Sequence, residues 1–341
     1  MRTADFDYSL PPELIAQQPV ERRDASRLLV VDRARGALAH RHFADLPDYL
    51  RAGDLLVIND SKVLPARLHG VRLPGGGAVE VLLIHPTAPD HWLVLARPAK
   101  RLRAGDRLCF GEGALTATVR ELGEEGQRIL AFDTGGRPLE ALLDTLGEMP
   151  LPPYIHERLA DPDRYQTVYA RAPGSVAAPT AGLHFTSELL QRLQHSGVEV
   201  RAVTLHVGLG TFRPVQAERI EEHQMHAEYG VLSAETAAAL HATRARGGRV
   251  VAVGTTAMRV LESAALQQAH GPWSGWTNIF IYPGFTFRAC DALITNFHLP
   301  RSTLLMLVSA FAGKALIDRA YTAAIAERYR FFSFGDAMLI L

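Results

Sequence analysis

Between residues 63 and 133 the chain is made of short β-rich pieces, at 78–84, 92–96, 115–119 and 129–132, parted by turns such as Gly75-Gly76-Gly77 and Gly123-Glu124-Glu125-Gly126. Short strands at near-regular spacing, with no helical period between them, predict a small all-β barrel. The flanking sequence has a different texture. Residues 27–32 and 54–59 are continuous apolar runs, which suits strands covered on both faces. After Pro150-Leu151-Pro152-Pro153, helix and strand alternate. Residues 187–195 read as a helix stopped by Gly197, and 198–205 as a strand. Ser233 reads as the N-cap of a helix with Glu235 in its first turn and Gly247 beyond its end; 249–253 is a strand leading into a helix through Met258, Leu261 and Ala265. The expected fold is an α/β main domain, residues 1–62 and 150–341, with an inserted small all-β barrel domain at 63–149.

With 341 residues, 48% of them hydrophobic, the chain can bury more than one core, which excludes disorder as its main theme. The formal net charge is zero and the pI near 7.3. No whole-molecule field draws in nucleic acid or anionic membrane, so a polyanionic partner must be held by a local patch. Cys109 and Cys290 share no Cys-x-x-Cys spacing, which argues against a disulfide framework or a cysteine zinc site and fits a reducing compartment. The first eight residues lack the apolar core of a secretory signal. The longest apolar stretch, 304–312, is interrupted by Ser309 and falls short of the roughly 20 residues that span a bilayer. A cytoplasmic protein without membrane association is expected.

The chain has no Gly-x-Gly-x-x-Gly after a strand, no P-loop and no Gly-x-Ser-x-Gly elbow. It has instead loops of small and polar residues at 59–67, 174–186, 205–215, 223–228, 254–259 and 295–303. Such loops place N–H groups and hydroxyls where strands end and helices begin, the usual ligand site of open α/β sheets. Each loop taken singly also reads as a well-capped turn: Pro300 can open a helix, and Gly254 can make a tight turn. His223, His226 and Glu228 are metal-ligand types, but their spacing is not His-Glu-x-x-His and no further ligand is specified. A polar cluster or a site for a cationic ligand fits them as well, and no metal is expected. His184, His206 and His298 are separate candidates for proton transfer, although a lone histidine is more often structural. Residues 97–107 carry five cations, Arg97, Lys100, Arg101, Arg103 and Arg107, against the single acid Asp106. This run reads either as a phosphate-backbone contact or as a solvated hairpin face.

Once these loops are in view, the whole chain resembles the QueA family of S-adenosylmethionine:tRNA ribosyltransferase-isomerases in queuosine biosynthesis. The likeness runs from Tyr8-x-Leu-Pro-x-Glu-Leu-Ile-Ala-Gln, Gln18-Pro19 and Arg23-x-x-Ser26-Arg27-Leu28-Leu29 to Phe334-Gly335-Asp336-Ala337-Met338, with long specific stretches at 175–186, 206–215 and 279–302. The resemblance implies S-adenosylmethionine as ribosyl donor and tRNA bearing 7-aminomethyl-7-deazaguanine at the wobble position, hence contact with the anticodon arm. It implies epoxyqueuosine-tRNA, adenine and methionine as products, no metal or redox cofactor, and a monomer suffices. The chemistry asks one site to bind a cation, move protons and stabilise an alkoxide. His206, His226 and His298 are expected to transfer protons, with Glu228 attracting the sulfonium or holding an imidazole. Thr211, Arg213, Thr255 and Thr256 would donate to donor oxygens, and His184 and Arg259 belong to the same substrate-binding loops. Asn59 and Arg67 would meet the tRNA or its modified base, and the five cations of 97–107 its backbone. An S-adenosylmethionine-dependent RNA methyltransferase would use the same donor but needs a glycine-rich loop that is absent here. A non-catalytic RNA-binding module would need fewer polar strand-end loops.

Overall fold

The computed structural model describes residues 1–208, 215–268 and 271–341; Thr211 and Arg213 lie outside them. Strands β1 (Arg27–Asp32), β2 (Ala37–His42), β3 (Leu55–Asn59) and β4 (Ser61–Val63) come first. Then follow β5 (Arg67–Leu73), β6 (Gly77–Ala88), β7 (His91–Arg97), β8 (Arg107–Phe110), β9 (Leu115–Leu122), β10 (Gln127–Asp133) and helix α1 (Leu139–Leu146). The remainder is β11 (Ala172–Ser175), α2 (Ser187–His195), β12 (Glu199–Leu205), β13 (Glu228–Leu232), α3 (Ala234–Ala245), β14 (Val250–Val253), α4 (Gly254–Leu266), β15 (Trp273–Thr277), β16 (Ala292–Asn296), α5 (Thr303–Ala312), α6 (Lys314–Ala326) and β17 (Ala337–Ile340).

Two compact units result. One comprises Met1–Ser61, Pro152–Ala172 and Ala178–Leu341; the other comprises Lys62–Leu151 and Pro173–Ala177. The first is built on a nine-stranded sheet in the order β15-β13-β12-β3-β14-β16-β17-β1-β2, and the second on a closed barrel, β10-β7-β6-β5-β8-β9. The α/β architecture with an inserted barrel is therefore the one observed. The barrel has six strands where the sequence suggested four. β5 carries Gly70 and is only partly buried, and β8 is four residues long, so neither leaves a clear hydrophobic pattern.

The centre of the large sheet is the parallel set β12, β3, β14 and β16. All five residues of β3 are buried, and its alternate side chains enter different cores. Leu55 and Val57 join Leu29 and Val203 on one face, while Leu56 and Ile58 join Leu28 and Val251 on the other. Period-2 alternation between two covered faces explains why the run is apolar throughout. Caps set the helix starts: Thr186 Oγ1 accepts from Leu189 N at 3.1 Å, and Ser233 Oγ from Thr236 N at 3.2 Å. Pro300 does not open a helix. α5 starts after Ser302, whose Oγ accepts from Leu305 N at 3.2 Å, because Ser302 satisfies an N–H that proline cannot. Among the described residues no helix is long and apolar enough to cross a membrane.

Candidate active site

The parallel strands deliver the polar loops to one edge of the α/β unit. A cleft there, with about 650 Å³ of free space including its mouth, is lined by Val207 after β12, Gly254, Thr255 and Thr256 after β14, and Asn296 and His298 at the end of β16. It lies at the carboxyl ends of the parallel strands, where open sheets bind ligands. Gly254 opens α4 at φ +85°, a conformation that suits glycine and turns the chain sharply from strand to helix. Gly182, in the turn over Thr180–His184, lies so close to Tyr169 that a Cβ there would sit 2.0 Å from the phenol oxygen.

The candidate residues divide into groups. Thr255, Thr256 and His298 line the cleft. Thr256 Oγ1 is buried and has no hydrogen-bond partner among the described residues. His298 is buried, with Nε2 2.8 Å from Thr295 Oγ1, its backbone N donating to the Tyr321 hydroxyl and its carbonyl accepting from Tyr8. Burial pushes its imidazole down to about 3, so forming an imidazolium there is costly.

His206 follows β12 directly and precedes cleft-lining Val207. It is half-buried, and its Nδ1 is enclosed without a partner among the described residues. Desolvation lowers its pKa below the ordinary 6.5, while the negative charge of Asp60 works in the opposite direction. Asp60 is buried at the end of β3, accepting from Thr204 Oγ1 at 2.6 Å and pairing with Arg171 at 2.8 Å. Sequence reasoning gave Asp60 no role, although it sat inside the singled-out loop beside Asn59.

Glu228 and Arg259 form a buried ion pair between β13 and α4, and Glu228 Oε1 also accepts from Gly208 N at 2.9 Å. The Arg259 guanidinium against its carboxylate offsets much of the field that Glu228 would present to a sulfonium. His226 is exposed on the loop before β13 and does not line the cleft. Among the described residues no group of three or more His, Cys, Asp or Glu is placed to share a metal ion.

His184 does not line the cleft either. It is buried, its ring stacks on Phe43 at 4.9 Å, and Nδ1 lies 2.7 Å from Ser26 Oγ. Burial, reinforced by Arg23 and Arg330, drives its pKa down to about 3. Asn59 is fully buried; its amide accepts from Leu205 N at 3.0 Å and donates to Leu205 O at 3.2 Å, stitching β3 to β12. It therefore has no surface to offer a tRNA, because this amide completes the sheet ladder beyond the last β3 pair.

In the barrel unit Arg67 pairs with Glu80 at 3.0 Å. Arg97, Lys100, Arg101, Arg103 and Arg107 are all exposed, and among the described residues none forms an ion pair. Other groups shape their loop. Arg72 donates to Arg101 O at 2.9 Å and Arg128 to Ala99 O at 2.5 Å, while Asp106 accepts from Arg103 N at 2.8 Å. With carbonyls and the one acid engaged from below, the five cationic heads are left to solvent.

This fold and cleft, a parallel-centred sheet with polar strand ends and a separate barrel bearing a cationic loop, accord with the comparison to known proteins. The chain matches the Queuosine biosynthesis protein family over residues 3–340 and belongs to it. It is 61% identical to the S-adenosylmethionine:tRNA ribosyltransferase-isomerase of Symbiobacterium thermophilum and 60% identical to that of Moorella thermoacetica, each over the whole of both chains. A crystal structure of S-adenosylmethionine tRNA ribosyltransferase from Thermotoga maritima is 44% identical with a TM-score of 0.58, covering 99% of this chain and 100% of that one.

Proposed function

We propose that this protein transfers and isomerises the ribosyl group of S-adenosylmethionine onto the aminomethyl group of 7-aminomethyl-7-deazaguanine in tRNA. The products are epoxyqueuosine-tRNA, adenine and methionine. One observation carries the reading: the family match is continuous from residue 3 to 340, so it includes both the cleft and the cationic barrel loop. Incubating the protein with S-adenosylmethionine and the modified tRNA is expected to release adenine and methionine. Release of S-adenosylhomocysteine would indicate methyl transfer, and absence of turnover a binding role.

His206 is the group best suited to remove the proton from the 5′ carbon beside the sulfonium. It is neutral at pH 7, and Asp60 eases its protonation. The ylide formed opens the ribose ring and expels adenine, leaving a vinyl sulfonium that carries an aldehyde. The neutral amine of the modified base adds to the former 4′ carbon, the 5′ carbon closes on the aldehyde, and the alkoxide displaces methionine to form the epoxide. Thr255 and the N–H groups at the start of α4 suit the methionine carboxylate, since helix N-termini attract anions. Arg259 acts indirectly, by fixing Glu228 and through it Gly208 N.

The loop 97–107 binds the tRNA backbone, with the anticodon arm as the bound part and the enzyme working as a cytoplasmic monomer. Its two free cysteines suit a reducing compartment. In an Arg101→Ala/Arg103→Ala variant, the slope of log K against log salt for tRNA binding is expected to fall by about 2, roughly 1 for each lost phosphate contact. Adenine release at saturating tRNA should be unchanged. An unaltered slope in filter-binding titrations would remove this loop from the interface.

A further inference from the structure

Asn296 ends β16, is 3% exposed and lines the cleft. Its Nδ2 lies 3.0 Å from Phe332 O, which fixes that atom as the amide nitrogen, because a carbonyl needs a donor. The second Nδ2 hydrogen points to His184 Nε2 at 3.3 Å. His184 is neutral, so Nε2 accepts and Nδ1–H donates to Ser26 Oγ at 2.7 Å; the Ser26 hydroxyl in turn donates to Arg23 O at 3.3 Å. Every donor in this chain runs the same way, from Asn296 through His184 and Ser26 to a backbone carbonyl. Its other end is Asn296 Oδ1, a buried acceptor with no partner among the described residues. A buried acceptor in a folded protein is ordinarily met by a donor from protein, ligand or water, and this one faces the cleft. The amide cannot flip to present a donor without breaking both bonds made by Nδ2.

Among the described residues Thr256 Oγ1 is the other unpartnered buried oxygen of the same cleft, and a hydroxyl can donate where an amide carbonyl cannot. Phe332, Leu299 and Leu304 supply apolar surface there for a flat ring. We propose that Asn296 Oδ1 and Thr256 Oγ1 form the subsite for the adenine of the donor, Asn296 accepting from the 6-amino group and Thr256 donating to a neighbouring ring nitrogen. This rests on reading the donor as S-adenosylmethionine. The α-ammonium of the donor and the N–H groups of the tRNA base, its 7-aminomethyl group included, are the other N–H donors in the reaction. Asn296 is then a specificity-determining residue, and His184 and Ser26 are positioning residues that hold its carbonyl toward the cleft.

The test compares wild type with Asn296→Ala and Thr256→Val, the latter leaving the Ser26–His184–Asn296 chain intact if the former fails to fold. Calorimetry on the full chain measures binding of free adenine, hypoxanthine and unsubstituted purine; single-turnover assays use S-adenosylmethionine, its deaminated 6-oxo analogue and the modified tRNA. Wild type is expected to prefer adenine to either other base by about 10- to 100-fold, the usual consequence of an orphaned hydrogen-bonding group. Asn296→Ala should reduce that preference to within about threefold, and Thr256→Val should weaken adenine about three- to tenfold. An adenine preference that survives in both variants, or is absent from wild type, overturns the proposal. So does an Asn296→Ala variant that raises the KM for modified tRNA while keeping the adenine preference, which would assign the acceptor to the aminomethyl group. Wild type that binds adenine selectively yet releases none from S-adenosylmethionine would count against the proposed function and leave the subsite standing.

Discussion

Replacing His206 by alanine is expected to lower the single-turnover rate of adenine release by about 10²- to 10⁴-fold, the range for loss of a general base. The KM for tRNA should stay near wild type. Three observations single out His206: an enclosed Nδ1 without a partner among the described residues, a position beside cleft-lining Val207, and a pKa lowered by burial but supported by Asp60. His298, although it lines the cleft, is held near 3 and already meets Thr295. The pH dependence follows from the sign of the shift. A base must be neutral to act, and burial moves His206 below 6.5, so kcat/KM should rise with pH along an acid limb lying below 6.5. Asp60→Asn removes the charge that favours the imidazolium and should shift that limb further toward acid. Wild-type rates for both His206→Ala and His298→Ala would discard histidine as the base.

Arg259→Ala is expected to be the most damaging single substitution for stability, costing about 3–5 kcal/mol, because it leaves Glu228 buried without its counter-charge. The two side chains are 4% and 5% exposed, so water cannot replace the lost partner. Arg259→Lys should also be harmful, since a lysine ammonium cannot reproduce the planar guanidinium. Removing both charges together, as in Glu228→Leu/Arg259→Met, should restore most of the loss, which chemical denaturation would register as a lower sum than the two single changes predict. Additive losses would show that the pair is not coupled.

The elements that were legible in the sequence are those with a one-dimensional signature. The two-faced strands β1 and β3, the capped helix α3 and the Gly197 stop all obey local rules of period or capping. The clefts and pairings that depend on distant partners were not readable in that way. Asn59 and Asn296 each end a buried strand, yet one closes a sheet ladder and the other presents a carbonyl to the cleft. Only the positions of Leu205 and of Phe332 and His184 decide between these outcomes. Glu262 is a similar case: it lies inside α4 with no motif around it, and three backbone N–H groups, of Arg288, Ala289 and Cys290, converge on its buried carboxylate. Five polar residues of α4, Thr255, Thr256, Arg259, Glu262 and Ser263, are buried, which blurs the amphipathic pattern that sequence periodicity relies on.

The place of β17 has a consequence for how the molecule is made. It lies between β16 and β1, paired parallel to β1 and antiparallel to β16. The hairpin of β1 and β2 emerges early from the ribosome but has no strand beside it until β17 has been synthesised. At ordinary elongation rates of about 5–20 residues per second, that interval is tens of seconds. Pairings this distant in sequence also make for slow folding. The barrel, whose neighbours all lie within Arg67–Asp133, needs no such wait. During translation the cell must therefore shelter a nascent β1 edge, and a chaperone that recognises exposed apolar strands should bind ribosome-held chains lacking β17 more than complete ones.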